Sequence, residues 1–480
     1  MPQLDQTPNE GNSAHDQLRA ALYAGLRGQA EPVLVFPEAT NSAASLWAAS
    51  RLWVEFFREH NLRRGDRVAL QWPASPGFIA FLAGAMWEGL STAVIPPGMT
   101  PAQSMEFFDA RLGLGCDGLT ADNAGCPVVS EGWTARVARG PQTADVRLLM
   151  RTCGTSGCPG WVALSDENIW SVLDSHRPRL MKREDVVLSI LPWFHSFGLI
   201  IDLLPALLGA GVIVREPSLG RDPTSILSTA AAYSVSWCSM VPLQTQRLAS
   251  TTEGLDFLRG LRGGVVGGAP ASRQLADAIS ATNLFVGYGQ TEASPGIALG
   301  RPGHWVPGAI GEALGCETRI DDQSHLLVRG ANVSYGKWTQ SGLEVLDSSR
   351  WLDSGDLVVR RGDEMIFLGR SDNNFKLANG RVVDAAAIET QLRESDPRMA
   401  DCAVISTDTL SLRVYVVMKD HLSLPAPGLV KQVLGSLADR LEGVTTLVDS
   451  PDMRTAKGSL DRLKLRRGAF APTACPPLAA

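Results

Sequence analysis

The sequence lacks several features that would assign a protein to a class directly. Its 480 residues carry a net charge of −6, so there is no basic excess with which to bind nucleic acid. The eight cysteines are scattered, and no Cys-x-x-Cys pair indicates a zinc site or a disulfide framework. The longest apolar run, Leu199 to Val214, contains Asp202 and Pro205 and is too short to span a membrane. Because the first residues form no apolar signal core, we expect a reducing cytoplasmic setting.

The composition is that of a globular protein, with 45% hydrophobic and 20% charged residues. Apolar helical stretches alternate with short β-rich runs, which predicts layered α/β packing with mostly parallel sheets. From Gly308 to Arg361 short strands and turns predict a mostly antiparallel β subdomain. The predicted elements include strands at Arg67–Gln71, Thr92–Ile95, Val186–Leu191, Val212–Arg215, Leu284–Val286, His325–Arg329 and Asp356–Arg360, and a helix at Ala44–Glu59.

The chain length allows two or more domains with full cores. A polar Gly-Arg-Ser-Asp segment follows a predicted strand at 369–372, and we take it as the domain boundary. The prediction is a disordered N-terminus at 1–16, a large domain at 17–369, a small mobile α+β domain at 370–469 and a flexible tail at 470–480.

Residues 151–168 read RTCGTSGCPGWVALSDEN, a turn of small and hydroxyl residues. Such a turn exposes backbone N–H groups that can surround a phosphate chain. A single run of this kind is more often a surface loop, so its assignment depends on the segments that follow. The candidate phosphate-binding residues are Thr152, Gly154, Thr155, Ser156 and Gly157.

Four further segments occur in a fixed order along the chain. They read LPWFHSFGL at 191–199, GGAP at 267–270, GYGQTE at 287–292, and WLDSGD at 351–356 followed by GRSDNNFK at 369–376. Taken alone, His195 is an ordinary buried histidine and each of the other segments is an ordinary loop. Together with the small-residue turn they resemble the adenylate-forming superfamily, which includes acyl-CoA synthetases, luciferases and the adenylation enzymes of peptide synthesis. The resemblance covers about residues 40–465.

The resemblance implies a site for ATP and Mg²⁺. Tyr288 would stack on adenine, Thr291 would bond the α-phosphate and act in catalysis, and Glu292 would help hold Mg²⁺. Asp356 would bind both ribose hydroxyls, and Arg370 would contact ribose or phosphate. The remaining nucleotide-binding residues implied in this way are Gly268, Ala269, Pro270 and Gly289.

The resemblance also implies how the acid and its acceptor are bound. His195 would lie near the carboxylate and gate the acyl pocket, at the end of a strand. Amino-acid-activating relatives carry an Asp soon after this motif, whereas this chain has Phe197 and Gly198, so a carboxylic acid without an α-amino group is favoured. Asp372 falls on the hinge of the small domain.

The segment KLANGRVV at 376–383 resembles that of long-chain fatty acyl synthetases and carboxylic acid reductases. Lys376 would then be a catalytic residue of the small domain, and Gly380 would line the path of a pantetheine arm. The acceptor implied is a phosphopantetheine thiol, on CoA or on an acyl carrier protein.

Two departures from the family pattern each remove a positive charge. Gly160 stands where the phosphate loop usually has Lys, and Ser459 stands at the usual catalytic Lys near the C-terminus. Lys457, two residues earlier, is the candidate catalytic substitute. A cation about 4 Å from a developing charge contributes about 4 kcal/mol at an effective dielectric near 20, so its loss slows adenylation.

Three functions therefore remain open at this stage. The chain is a ligase that uses Lys457, an acyl-transfer enzyme that retains only the second half-reaction, or a non-catalytic nucleotide- or acyl-binding partner of a biosynthetic complex. The sequence leaves the acid, the acceptor and the oligomeric state undetermined.

Overall fold

The computed structural model describes residues 13–27, 33–36, 39–137, 140, 143–152, 160–269, 271, 273–347, 349–370, 374–376, 382–406, 411–420, 423–454 and 458–466. Within them no helix is long and apolar enough to cross a membrane. The first part of the chain consists of helices and short strands, of which β3, β4, β5 and β8 run parallel. Its elements are α1 (Ala14–Arg27), β1 (Val33–Phe36), β2 (Ala39–Ser42), α2 (Ala43–Glu59), β3 (Arg67–Leu70), α3 (Pro76–Glu88), β4 (Ser91–Val94), α4 (Pro101–Phe107), β5 (Leu112–Leu114), β6 (Leu119–Ala121), β7 (Pro127–Val129) and β8 (Val146–Arg151).

The second part continues this alternation and carries three of the sequence motifs. Its elements are β9 (Trp161–Ser165), α5 (Asp166–His176), β10 (Val186–Ser189), a π-helix (Phe197–Leu203), α6 (Leu204–Gly209), β11 (Val212–Arg215), α7 (Pro223–Tyr233), α8 (Pro242–Ala249), α9 (Thr252–Gly260), β12 (Gly264–Gly267), α10 (Arg273–Ile279), β13 (Leu284–Tyr288), a 3-10 helix (Thr291–Ala293) and β14 (Ala298–Leu299).

The third part consists of strands, and the last part mixes strands and helices. The strands are β15 (Glu312–Ala313), β16 (Glu317–Ile320), β17 (His325–Arg329), β18 (Gly336–Thr339), β19 (Gly342–Val345), β20 (Leu352–Arg361) and β21 (Glu364–Arg370). The last part holds β22 (Asn374–Lys376), β23 (Val382–Asp384), α11 (Ala385–Ser395), β24 (Met399–Ser406), β25 (Leu412–Met418), α12 (Leu429–Leu434), β26 (Leu441–Leu447) and α13 (Arg462–Arg466).

The fold is mixed α/β, as predicted, but its sheets are less parallel than expected. The largest sheet has the order β19-β18-β9-β8-β4-β3-β5, and its β5, β3, β4 and β8 run parallel. Strands β9, β18 and β19 extend that sheet by antiparallel pairing. A second sheet, β10-β11-β1-β2, and a third, β12-β13-β14-β15, are parallel at one edge and antiparallel at the other.

The predicted antiparallel subdomain is present as the sheet β16-β17-β20-β21. Strands β18 and β19 come from the same stretch of sequence but leave it to join the largest sheet. As a result, the segment after Ser334 connects the antiparallel sheet with the strand that follows the phosphate loop. This connection brings β18 and β19 next to β9 at one edge of the largest sheet.

The prediction of disorder at 1–16 is wrong for residues 14–16, which form the first turn of α1. The backbone N–H of Asp16 donates to Ser13 Oγ at 3.2 Å. His15 Nδ1 lies 3.2 Å from Asp166 Oδ2, so this turn is fixed by a contact with α5. The polar composition of the segment could not reveal a partner 150 residues away.

The largest core lies between α1–α3, α5 and the central sheet, and it includes a buried ion pair. Arg147 is fully buried, and its Nε and Nη2 each donate to Asp166 at 2.8 Å. Burial alone would raise the pKa of Asp166, but Arg147 and His15 outweigh burial and lower it. Residues 383–465 pack in two cores of their own, around β24 and β25. The boundary at 369–370 stays a prediction.

Candidate active site

The His195 loop follows β10, at the end of the strand where the sequence predicted it. The backbone N–H of His195 donates to Pro192 O at 3.2 Å and closes a turn. A Cβ on Gly198 would lie 2.3 Å from that same Pro192 oxygen, so the turn requires glycine. The His195 ring is half-buried and packs beside Phe194, with ring centroids 4.7 Å apart. The loop therefore holds the imidazole in a defined position.

A π-helix continues from this loop and connects it to the Tyr-Gly-Gln-Thr-Glu segment. The N–H of Leu204 bonds the carbonyl of Leu199, five residues back, which is the spacing of a π-helix. Just before it, the hydroxyl oxygens of Ser196 and Thr291 lie 2.9 Å apart in a hydrogen bond. The neighbour of His195 in the loop therefore meets the residue predicted to contact the α-phosphate, although the two are 95 positions apart.

The glycine turn predicted to contact adenine lies beside this helix. Strands β12 and β13 are parallel, with Gly267 opposite Gly287, so the turn and the Tyr288 segment leave the sheet side by side. Gly268 has φ +83°, and a Cβ there would meet Phe197 and Val241 at 3.8 Å. Ala269 is exposed, and Pro270 lies outside the described residues.

The Tyr288 segment is joined to the predicted ribose-binding residue. Tyr288 Oη donates a hydrogen bond to Asp356 Oδ2 at 2.5 Å. The next residue, Gly289, must be glycine, because a Cβ there would lie 1.4 Å from Pro295 O. Asp356 is 6% exposed, and its backbone N–H donates to Ser354 Oγ at 3.1 Å. The two motifs thus share one polar contact.

Arg370 pairs with Asp356 across strands β20 and β21, which brings the two predicted ribose contacts together at the level of the backbone. The side chains of Arg370 and Lys376 lie outside the described part, although β22 pairs Lys376 with Val382. The other predicted positions outside it are Gly154, Thr155, Ser156, Gly157, Asp372, Gly380 and Lys457. Their roles stay predictions.

Thr152 and Gly160, the described residues on either side of the phosphate loop, are hydrogen-bonded to each other. The N–H of Thr152 donates to Gly160 O at 2.8 Å, and the N–H of Gly160 donates to Thr152 Oγ1 at 3.0 Å. The chain therefore leaves β8 and returns to β9 at one point.

Glu292 is half-buried at the start of the same 3-10 helix as Thr291, and its carbonyl accepts from the N–H of Ser334 at 2.9 Å. Among the described residues no group of three or more His, Cys, Asp or Glu side chains could hold a metal ion. A single carboxylate still fits Mg²⁺, because this ion is commonly held by one or two carboxylates together with substrate phosphates. When bound, the ion would neutralise phosphate charge beside Glu292.

A cavity of about 250 Å³ lies where these segments converge. It is bounded on one side by the Tyr-Gly-Gln-Thr-Glu segment and on the other by the residues before Asp356. Strand β18 supplies a third wall. Its lining includes Gln290, Glu292, Ser334, Lys337, Ser354 and Gly355.

Comparison with known proteins agrees with this geometry. Residues 116–337 match the family model described as AMP-binding enzyme. A feruloyl-CoA synthase from Amycolatopsis sp is 27% identical over 383 residues, which are 72% of this chain and 77% of that protein. The 4-coumarate:CoA ligase 1 of Petunia hybrida is 25% identical over 72% of this chain and 73% of its own.

Solved structures share the fold at lower identity. ATP-bound MatB from Rhodopseudomonas palustris superimposes with a TM-score of 0.76 at 21% identity, over 93% of this chain and 98% of that one. MenE from Bacillus subtilis, in complex with ATP and a magnesium ion, gives 0.74 at 20% identity over 93% and 99%. These structures show the fold that the chain shares with them, and the family model covers less than half of its 480 residues.

Behind the His195 loop, the chain buries a network of charged side chains. Asp202 is fully buried in the π-helix, where it accepts from Ser189 Oγ at 3.2 Å. Arg215 donates to Ser189 and lies 4.8 Å from the centre of the Trp193 ring. Burial raises the pKa of Asp202 to about 7, against the opposing effects of Ser239, Arg215 and Ser189. Because Asp202 is committed to this network, it offers no carboxylate to a substrate amino group.

Trp237 and Met240, considered as possible pocket residues, are fully buried in the cores, and Val241 is half-buried beside Gly268. Of the three, Val241 is therefore the one with a surface near the site.

The loop that carries Ser459 is anchored on both sides. Arg454 bonds Asp449 and Asp401, and Arg462 donates to the buried carboxylate of Glu389. Ser459 itself is exposed. A Cβ on Gly458 would lie 3.0 Å from Leu243 of α8, so this loop touches the large domain near Val241.

Sequence reasoning missed two residues of the site. Ser196 lies inside a recognised motif, but nothing in the motif indicates that its hydroxyl meets Thr291. Lys337 lies outside every motif, and the pattern of residues along its strand does not indicate a functional position. Only the pairing of β18 with β9 brings it to the site.

Proposed function

We propose that this protein is an ATP-dependent, AMP-forming ligase of the adenylate-forming superfamily. It activates an aryl or acyl carboxylic acid that lacks an α-amino group and passes it to a phosphopantetheine thiol. A carboxylate oxygen attacks the α-phosphorus of ATP, the bond to the bridging oxygen breaks, and pyrophosphate leaves with Mg²⁺. The thiolate then attacks the carbonyl carbon of the acyl-adenylate, and AMP leaves. CoA or a carrier protein supplies the thiol, whose proton passes to solvent.

The observation that carries the proposal is the meeting of the three motifs. The Ser196–Thr291 and Tyr288–Asp356 hydrogen bonds join the loop that carries His195, the Tyr288–Glu292 segment and the predicted ribose-binding Asp356 into one array. A preorganised array of this kind acts by positioning and electrostatics, which suits transfer at phosphorus. The names of the relatives, a feruloyl-CoA synthase and coumarate ligases, favour an aryl acid.

The test is ATP–pyrophosphate exchange with a panel of acids. Hydroxycinnamates, benzoates and fatty acids of several lengths form the panel, and α-amino acids serve as the contrast. We expect exchange with at least one aryl or fatty acid and none with the amino acids. If an amino acid gives the fastest exchange, the substrate class is wrong. If no acid supports exchange and no adenylate analogue binds, the ligase function is overturned.

A second proposal concerns the balance of the two half-reactions. Ser459 removes the lysine that would bridge the carboxylate and the α-phosphate, whereas thiol attack depends on Lys376 and the pantetheine path near Gly380. Adenylation is therefore slower than transfer from a supplied acyl-adenylate. Lys376→Ala should impair transfer and leave exchange little changed, and Lys457→Ala should abolish exchange only if Lys457 is the substitute.

The same mechanism requires a small domain that turns about a hinge at Asp372. Limited proteolysis should then cut near 370–372 or in the termini. Mass spectrometry of the fragments gives the cleavage sites. A single fragment boundary inside residues 150–300 would contradict the proposed boundary.

A further inference from the structure

Lys337 and Gly160 lie on the same face of the largest sheet. The register of β9 and β18 pairs Trp161 with Trp338 and Val162 with Lys337. Side chains alternate along a strand, so Trp161 and Trp338 share one face, where both pack near Phe108. Lys337 consequently points to the opposite face.

Gly160, two residues before Val162, has its open side on that second face. It is the diagonal neighbour of Lys337 across the two strands. Diagonal positions are separated by roughly 7–8 Å, which is within reach of a long side chain. A lysine at 337 can therefore bring its ammonium group to the space that a lysine at 160 would occupy.

Among the described residues, little surrounds the position that a side chain at 160 would take. A Cβ built on Gly160 would meet, within the described residues, only Thr152 Oγ1 at 3.6 Å. Lys337 is exposed and lines the cavity of about 250 Å³ together with Gln290 and Glu292. It is the one cation among the described residues that line this cavity.

A purely structural role for Lys337 has one candidate partner. Glu344 lies directly opposite Lys337 on β19, where such a pair contributes roughly 0.2–1 kcal/mol. Its carboxylate accepts from Thr339 Oγ1 at 3.0 Å instead. In the described part of the chain no ion pair within 4.0 Å joins Lys337 to a carboxylate.

We infer that Lys337 binds the pyrophosphate end of ATP and supplies the positive charge missing at Gly160. The inference rests on the proposed function, since it requires MgATP in the cavity beside Glu292. A lysine binds phosphate through a compact charge on a flexible side chain, so the lysine that contacts ATP does not need to lie on the same strand as position 160. The deficit in adenylation is then confined to Ser459.

The test compares ATP with AMP, because only ATP carries the phosphates that Lys337 would contact. For Lys337→Met, calorimetry should show affinity for ATP about 10- to 100-fold weaker, the size expected for a lost contact to a charged group, and affinity for AMP within about twofold. The KM for ATP in pyrophosphate exchange should rise in parallel. Glu344→Gln is the matched control and should leave both affinities unchanged.

A compensating variant makes the test specific. Adding Gly160→Lys to Lys337→Met should restore ATP affinity to within a few-fold of the unmodified protein. Undiminished ATP binding by Lys337→Met would overturn the inference, as would an equal loss for ATP and AMP, which would mean a structural effect. If the unmodified protein binds AMP but not ATP, the inference fails; if it binds neither, the proposed function fails as well.

Discussion

The contact between Tyr288 and Asp356 gives the sharpest prediction about nucleotide affinity. Asp356→Asn removes a charge and preserves shape at a position that is 6% exposed. The new amide oxygen can still accept from Tyr288 Oη, so the local fold should persist. What is lost is the charge that would strengthen the two predicted hydrogen bonds to the ribose hydroxyls.

The magnitude follows from those two bonds. Hydrogen bonds to a charged group contribute about 1.5–3 kcal/mol each, roughly twice the neutral value. Converting both to neutral bonds costs about 1.5–3 kcal/mol in total, so the Kd for AMP should rise about 10- to 150-fold. Tyr288→Phe keeps the ring and removes one donor, and the Kd should rise less than about tenfold.

Isothermal titration with AMP measures both variants, and thermal unfolding checks that each is folded. Asp363→Asn is the control, because it removes the same charge from the exposed turn between β20 and β21. If Asp356→Asn binds AMP within twofold of the unmodified protein while Asp363→Asn does likewise, Asp356 does not bind ribose and the reasoning is refuted.

Three further predictions concern buried charge and the C-terminal loop. Burial raises the pKa of Asp202 from 3.8 to about 7, so stability should fall as pH rises from about 4 to about 7, by up to about 4 kcal/mol. Urea unfolding across this range should show the unmodified protein losing stability relative to Asp202→Asn as pH rises, and parallel curves would contradict it. Arg147→Met leaves the buried Asp166 carboxylate without its main partner and should cost about 3–5 kcal/mol by urea unfolding; a loss below about 1 kcal/mol would mean that the pair is solvated. Ser459→Lys should raise pyrophosphate exchange about tenfold or more, and an unchanged rate would show that the missing lysine does not limit adenylation.

Elements that are determined locally could be predicted from the sequence. The strands Val212–Arg215 and His325–Arg329 have the bounds that their apolar runs predict. Helix α2 begins at Ala43, one residue before the predicted start, because the Ser42 side chain accepts from the N–H of Ser45. For these elements, capping residues and apolar runs are sufficient to predict the bounds to within one residue.

Pairing between distant strands could not be predicted in the same way. Alternation along β18 shows which residues share a face, but nothing in the sequence identifies β9 as its partner. For this reason the parallel sheets were predicted without their antiparallel extensions. Lys337 was missed for the same reason, because its position relative to Gly160 is set entirely by that pairing. Residues in recognised motifs, such as Thr291 and Asp356, were found because their order along the chain suffices.

The π-helix shows that chain length, as well as residue type, positions this site. An α-helix turns about 100° per residue. The π-helix between His195 and α6 adds one residue to the turn, so the segment before it, which includes Ser196, is rotated by about that angle relative to α6. With this rotation, the hydroxyl of Ser196 faces Thr291. Replacing residues other than Gly198 one at a time within Phe197–Leu203 should keep the orientation of Ser196, whereas deleting a single residue should turn Ser196 away from Thr291. The Ser196–Thr291 contact thus depends on the number of residues in this segment as well as on their types.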